Sequence, residues 1–425
     1  MGCDPSGCGS RERADGVRSL VESGDQADEG TVRAGALSRL TVLDCTHVIA
    51  GSWCSLLLAD LGADVIKIEP LGGEITRGRP ESAFKPFDFV NRNKRAIAVD
   101  IRTDDGASVV RRLAATADVF VENFRPGIMA RCGLGYEDLR AANAALIYCS
   151  ISGFGQTGPY RDRGGFDLIA QAMSGIRSVT GEIGSERPVS AGVPVSDLNA
   201  GVFGALGILA ALHHRERTGE GQYVETSLLE SAMAYTVWET GLHLTTGAIA
   251  TPNGSRHRLA APYEALKTGD GFIVVGVNSN RLWERLCTAL GDETLYEDPR
   301  FASAARRVEN RDELQDRLEH ILADDATDVW VSRLLAAGVP CGPLNTIDTA
   351  LGDPHVAARE FLVEVDGRRF PRTPLVLSGT PVAIHRGAPR LGADTHDVLT
   401  AAGFTDDEVA SLVARNVIGL GDVRS

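Results

Sequence analysis

Asp197 is the acid whose setting first suggests chemistry. It stands in Val193-Pro194-Val195-Ser196-Asp197-Leu198-Asn199-Ala200-Gly201, directly before an apolar stretch that runs from about Leu198 to Arg215. A carboxylate there can cap a helix by accepting amide hydrogen bonds, or it can act on a substrate. On local sequence alone the cap is the favoured account. Two basic clusters are the candidates for gripping a phosphate. Asn91-Arg92-Asn93-Lys94-Arg95 precedes a strand-like run, and Asn123-Phe124-Arg125-Pro126-Gly127 follows one. Loops beyond the carboxyl ends of parallel strands are where such sheets bind ligands. The Arg125 guanidinium matches two phosphate oxygens at once. A solvated basic loop explains the same spacing equally well.

Other signatures fail on context. Gly153, Gly155 and Gly158 form a G-x-G-x-x-G after a strand-like run, but Pro159-Tyr160-Arg161-Asp162-Arg163-Gly164-Gly165 follows. A dinucleotide site needs a helix to begin there, with its amides facing the pyrophosphate. No Walker A sequence occurs, and no G-x-S-x-G stands on a strand–helix turn. The cysteines at 3, 8, 45, 54, 132, 149, 287 and 341 contain no C-x-x-C and, with the histidines, no zinc spacing. No metal site is expected. Cys45 and Cys149 lie inside apolar segments and read as small core residues.

The elements that must hold these residues alternate. Leu40–Cys45, Ala63–Ile68, Ala96–Asp100, Asp118–Val121 and Leu146–Ser150 read as buried strands. Helical spacing covers Trp53–Leu61, Asp104 to about Thr116, and Tyr136–Ala142. Strand–helix alternation implies a largely parallel sheet covered on both faces. Beyond about residue 250 the character changes. Asn253–His257 reads as a loop, Phe272–Val277 as a strand, and 280–290, 311–323 and 327–337 as amphipathic helices. A final helical segment, 391–417, breaks at Gly403. The expected organisation is a flexible extension (1–38), a large α/β domain (39–225 with 385–425), and linkers with a smaller α+β domain (226–384).

Composition limits the partners. The chain has 425 residues, of which 43% are hydrophobic and 24% charged, as in soluble globular proteins. A net charge of -14 argues against nucleic acid or an anionic membrane as a general partner. A phosphate-bearing ligand then needs a locally basic site. No apolar run is read as approaching the roughly 18 residues of a membrane span, and the cysteine usage fits a reducing, cytoplasmic setting. The opening Met1-Gly2-Cys3-Asp4-Pro5-Ser6 matches the N-myristoylation pattern, which on such a polar tail reads as a chance match.

Six stretches, in order, resemble the class III CoA-transferase family, which also contains α-methylacyl-CoA racemases. They are Leu43–Gly51 with Gly62–Glu69; Asn91–Arg95; Glu122–Gly127; Ser152–Pro159 with Asp167–Gly175; Ser196-Asp197; and Gly338–Pro343. The ending Pro389–Leu399 is similar to the family's close, with Asp394 where the family has His. The resemblance spans roughly 39 to 420. It implies a Rossmann-like large domain, a smaller inserted domain and an interlocked homodimer. It further implies that Asp197 is a covalent nucleophile passing through an anhydride and an aspartyl-CoA thioester. Oxyanion donors would come from the loop at Gly254-Ser255 or the amides after Asp197.

Coenzyme A contacts are implied at His47, Lys94, Arg95, Asn123, Phe124, Arg125 and Arg131. The loop 254–265 resembles the succinyl-CoA:dicarboxylate members more than the formyl enzymes, so Arg256 or His257 is expected to meet the acceptor's distal carboxylate. The substrates are then an acyl-CoA and a carboxylic acid, with no separate cofactor. Racemases of the family carry His directly before the acid that is Asp167 here, whereas this chain has Phe166. An epimerase and a non-catalytic CoA-binding protein are the alternatives.

Overall fold

The computed structural model describes residues 35–79 and 81–421. The Gly2 pattern, Cys3, Cys8 and most of the expected extension lie outside them. Residues 35–38 form a turn in which the Leu37 amide donates to Leu61 O at 3.0 Å.

Six parallel strands make the frame: β1 (Thr41–Cys45), β2 (Asp64–Glu69), β3 (Lys94–Val99), β4 (Val119–Glu122), β5 (Ile147–Ser152) and β6 (Tyr223–Ser227). In space they run β3-β2-β1-β4-β5-β6. That order reverses direction between β1 and β4, which marks the sheet's topological switch point. Alternate residues serve two cores, as the period of two demands. Leu43, Ile66, Ile97 and Phe120 face one core, and Val42, Val65, Val119 and Ile147 face the other. Helices α1 (Ala50–Asp60), α2 (Asp104–Ala114), α3 (Asp167–Met173) and α4 (Val195–Thr218) cover these faces.

Helix α4 corrects the membrane reading of the sequence. At 24 residues, with mean hydropathy 1.6 over its most apolar window, it is long and apolar enough to span a bilayer. It is instead packed on the sheet and α1. A Cβ on Gly201 would come within 2.6 Å of Ala50 O, and one on Gly204 within 3.0 Å of Cys54 Sγ. Only glycine permits that closeness, so α4 reads as a core helix.

Asp394 acquires a role at the sheet edge. Its Oδ2 accepts from Ala96 N at 2.8 Å, and its own amide donates to Ala96 O at 3.0 Å, so it pairs with β3 as a strand residue would. A three-stranded antiparallel sheet, β7 (Tyr263–Lys267), β8 (Phe272–Gly276) and β9 (Cys341–Pro343), anchors the second unit. Helices over Asn280–Leu290, Arg311–Leu322 and Thr327–Ala336 pack on it around Trp283, Phe301 and Trp330. The hairpin β10 (Leu362–Val365) and β11 (Arg368–Pro371) turns through Asp366-Gly367, both at positive φ. The short strand β12 (Ile418–Gly419) pairs antiparallel with β3.

Candidate active site

The switch point is bridged by two of the expected contacts. The His47 amide, just beyond β1, donates to Asn123 Oδ1, and Asn123 Nδ2, just beyond β4, donates to His47 O, both at 2.8 Å. The Phe124 and His47 rings meet edge to face, 4.7 Å between centroids. Buried groups hold this crossing from below. Lys67 Nζ donates to Thr46 O at 2.8 Å, and Glu74 Oε2 accepts from Val48 N at 3.0 Å. Burial, with Lys67 nearby, lowers the His47 pKa despite the Glu74 carboxylate. Beside the crossing opens a cavity of about 350 Å³ lined by His47, Phe124, Ile68, Val99, Ile101 and Arg102. Its apolar walls suit a planar base, while Arg102 at the rim is paired with Asp100 through Nε and Nη2 at 2.8 and 2.9 Å.

Glu122, which the sequence reading did not single out, sets the second loop. Its Oε2 accepts from Phe124 N at 2.8 Å while Ser150 Oγ donates to Oε1. Burial raises its pKa to about 7 in spite of those hydrogen bonds. Arg125 and Arg131 are exposed and share this segment, and neither makes an ion pair among the described residues.

Lys94 and Arg95 are placed elsewhere. Lys94 is fully buried, and its ammonium donates to Asp44 Oδ2, Ser52 O and Asn91 Oδ1 at 2.7–2.9 Å. All three donors are taken, so none remains for a phosphate. Burial lowers its pKa to about 8. Burial alone would raise the pKa of Asp44, but Lys67 and Lys94 more than offset it, and the carboxyl is held down. Arg95 pairs with Asp64 at the amino ends of β3 and β2, away from the carboxyl-end loops that carry His47 and Arg125.

Asp197 lies inside the first turn of α4, two residues after its start, and makes no capping bond. The cap comes from Asp167 at the start of α3. Its Oδ1 accepts from Ser196 N at 2.8 Å and from Asp197 N at 3.4 Å. Gln171 fixes Asp167 by donating to its Oδ2 at 2.7 Å, and also accepts from Ala191 N at 3.0 Å. The cap reading of Asp197 is thereby overturned. Among the described residues no hydrogen bond or ion pair engages its carboxyl, and burial followed by the Asp167 charge pushes its pKa up to about 7. A poorly solvated, unengaged carboxylate is a strong nucleophile once ionised.

Of the proposed oxyanion donors, the Gly254 amide is given to Gly181 O at 3.0 Å. Ser255 Oγ accepts from Ala265 N at 3.1 Å and keeps its own proton to donate. Arg256 is tied into the second unit by Glu264, Asp312 and Gln315. His257 stacks on Tyr263, with ring centroids 4.9 Å apart and planes 9° from parallel.

The described residues therefore define a doubly wound α/β protein with a cavity beside its switch point and an unengaged aspartate, Asp197, in the first turn of α4. Residues 37–395 match the family described as CoA-transferase family III, and the chain belongs to that family. A succinate–glutarate CoA-transferase of Agrobacterium fabrum is 40% identical over 388 residues, covering 86% of this chain and 96% of that one. A succinyl-CoA:glutarate CoA-transferase of Mus musculus is 38% identical over 358 residues, covering 83% and 81%. The crystal structure of a CaiB/BaiF family protein from Brucella suis superposes with a TM-score of 0.80 at 35% identity, covering 87% of this chain and 100% of that one.

Proposed function

We propose that this enzyme moves coenzyme A from an acyl-CoA, succinyl-CoA or a close analogue, to a short dicarboxylic acid by way of Asp197. The observation that carries the reading is the capping of α4 by Asp167, which leaves the Asp197 carboxyl unengaged with its pKa near 7. An Asp197 oxygen attacks the thioester carbonyl, the C–S bond breaks, and CoA thiolate leaves a mixed anhydride. The thiolate attacks the aspartyl carbonyl of that anhydride and expels the donor acid as a carboxylate, giving an aspartyl-CoA thioester. The acceptor carboxylate repeats both steps in reverse and regenerates Asp197. No water, metal or redox group enters the balance.

His47, Asn123 and Phe124 are read as contacts for the CoA nucleotide because they meet at the switch point beside the apolar cavity, and Arg125, next in the same loop, lines a second cavity with Tyr148 and Tyr223. The names of similar proteins support the substrate class, since those transferases act on glutarate, D-citramalate and mesaconate.

We infer a homodimer in the cytoplasm. Leu206, Leu244 and Ile249 expose 58%, 80% and 82% of their surface, apolar groups that a second subunit would cover. The cysteines of the described residues are free, in keeping with a reducing compartment. Incubation with succinyl-CoA and a panel of labelled acids tests the central reading. Label should appear in the CoA thioester of a dicarboxylate. Deuterium exchange at the α-carbon without transfer would instead make the protein an epimerase.

A further inference from the structure

Arg256, His257 and Arg258 are consecutive, yet the structure uses them differently. The Arg256 guanidinium meets Glu264, Asp312 and Gln315, one from each nitrogen. His257 is stacked on Tyr263, and its Nδ1 accepts from Leu259 N at 3.2 Å. Arg258 donates through Nε to Glu239 Oε1 at 3.1 Å and through Nη2 to Thr251 O at 2.8 Å. Its Nη1 has no partner among the described residues, so one edge of the fork remains open.

Arg258 lines a cavity of about 400 Å³ together with Tyr235, Trp238, Leu242, Glu239 and Gly254. The wall is joined to the start of α4. Asn199, two residues after Asp197, donates to Ser231 O at 2.6 Å. From Ser231 the chain runs helically to Trp238 through Leu228–Met233, Ala234–Thr236 and Val237–Thr246. Seven residues at helical rise span about 10 Å. The wall of the cavity is thus connected, through Ser231 and Asn199, to the first turn of α4 that carries Asp197, and it combines apolar side chains with a guanidinium.

We infer that Arg258 sets acceptor specificity by receiving the distal carboxylate of a diacid, while Trp238 and Tyr235 flank its methylene chain. This rests on the reading of Asp197 as the CoA-carrying residue. The open Nη1 can give a carboxylate a charge-assisted hydrogen bond, which a monocarboxylate of equal length has no second carboxylate to accept. Glu239 is the competing internal carboxylate. Its bond to Nε holds the side chain in the cavity while leaving Nη1 for the substrate.

The test compares glutarate with valerate as acceptors, succinyl-CoA being the common donor, in wild type and Arg258→Gln. The ratio of kcat/KM for glutarate over valerate should fall about ten- to hundred-fold, chiefly through KM for glutarate, with Arg258→Lys recovering part of it. Glutarate binding to the free enzyme by calorimetry should weaken in parallel. Glu239→Gln, which removes the competitor, should lower the KM for glutarate and leave that for valerate unchanged. Equal losses for the two acids, or an unaltered glutarate KM in Arg258→Gln, overturn the assignment while leaving transfer on Asp197 intact. A wild type that passes CoA to no acid overturns both.

Discussion

Replacing Asp197 by Asn should abolish transfer and, above neutral pH, make the protein more stable. The unfolded carboxyl ionises near its ordinary 3.8, whereas in the fold it holds its proton up to about 7, chiefly because burial disfavours the charge and secondarily because Asp167 repels it. Below pH 3.8 both states are protonated and the group contributes nothing. Between the two values the unfolded chain releases a proton that the folded chain retains, so stability falls as pH rises; above 7 the full cost is present. Three units at about 1.36 kcal/mol each set a ceiling of roughly 4 kcal/mol, and partial solvent access brings the expectation to about 2–4 kcal/mol. Asn keeps the shape and never ionises. Urea denaturation of both proteins at pH 4, 6 and 8 isolates this group, because the remaining titrations cancel in the difference. The variant should match wild type at pH 4 and exceed it at pH 8. A pH-independent difference, or a less stable variant at pH 8, would refute the account of a desolvated, unengaged carboxylate.

Two further outcomes separate the basic residues. Arg125→Ala should raise KM about tenfold for every acyl-CoA alike, the loss of one charge-assisted contact to a shared handle; an effect confined to one acyl group would place Arg125 at the acyl end. Lys94→Ala should cost about 3 kcal/mol of stability, since it leaves buried Asp44 with only Lys67 opposite. Guanidinium melts at pH 7 that coincide with wild type would contradict that role.

How far the sequence revealed the molecule depends on the range of the interactions involved. The parallel strands were legible because both faces are buried and the apolar runs are continuous. Strands β9 to β12, two to four residues each, are too short to display a period, although Asp366-Gly367 is a hairpin signal in its own right. The local sequence around Asp197 suggests a helix cap, and that reading fails because the cap on its helix comes from an acid 30 residues upstream. Asn91–Arg95 has the composition of a solvated loop. Its lysine is buried because Asp44 waits on a strand 50 residues earlier. Arg256 faced the same ambiguity, with partners at 264, 312 and 315 that local pattern cannot supply. Arg258 was missed because open and occupied guanidinium edges look identical in a sequence.

The covalent intermediate is the most direct test of the account. Enzyme held with succinyl-CoA and no acceptor, then reduced with borohydride or treated with hydroxylamine, is digested and sequenced by mass spectrometry. The account predicts one modified peptide, with Asp197 converted to the alcohol or the hydroxamate, and none from Asp197→Asn. Modification of another carboxylate, or full turnover by Asp197→Ala with no modified peptide, would contradict it.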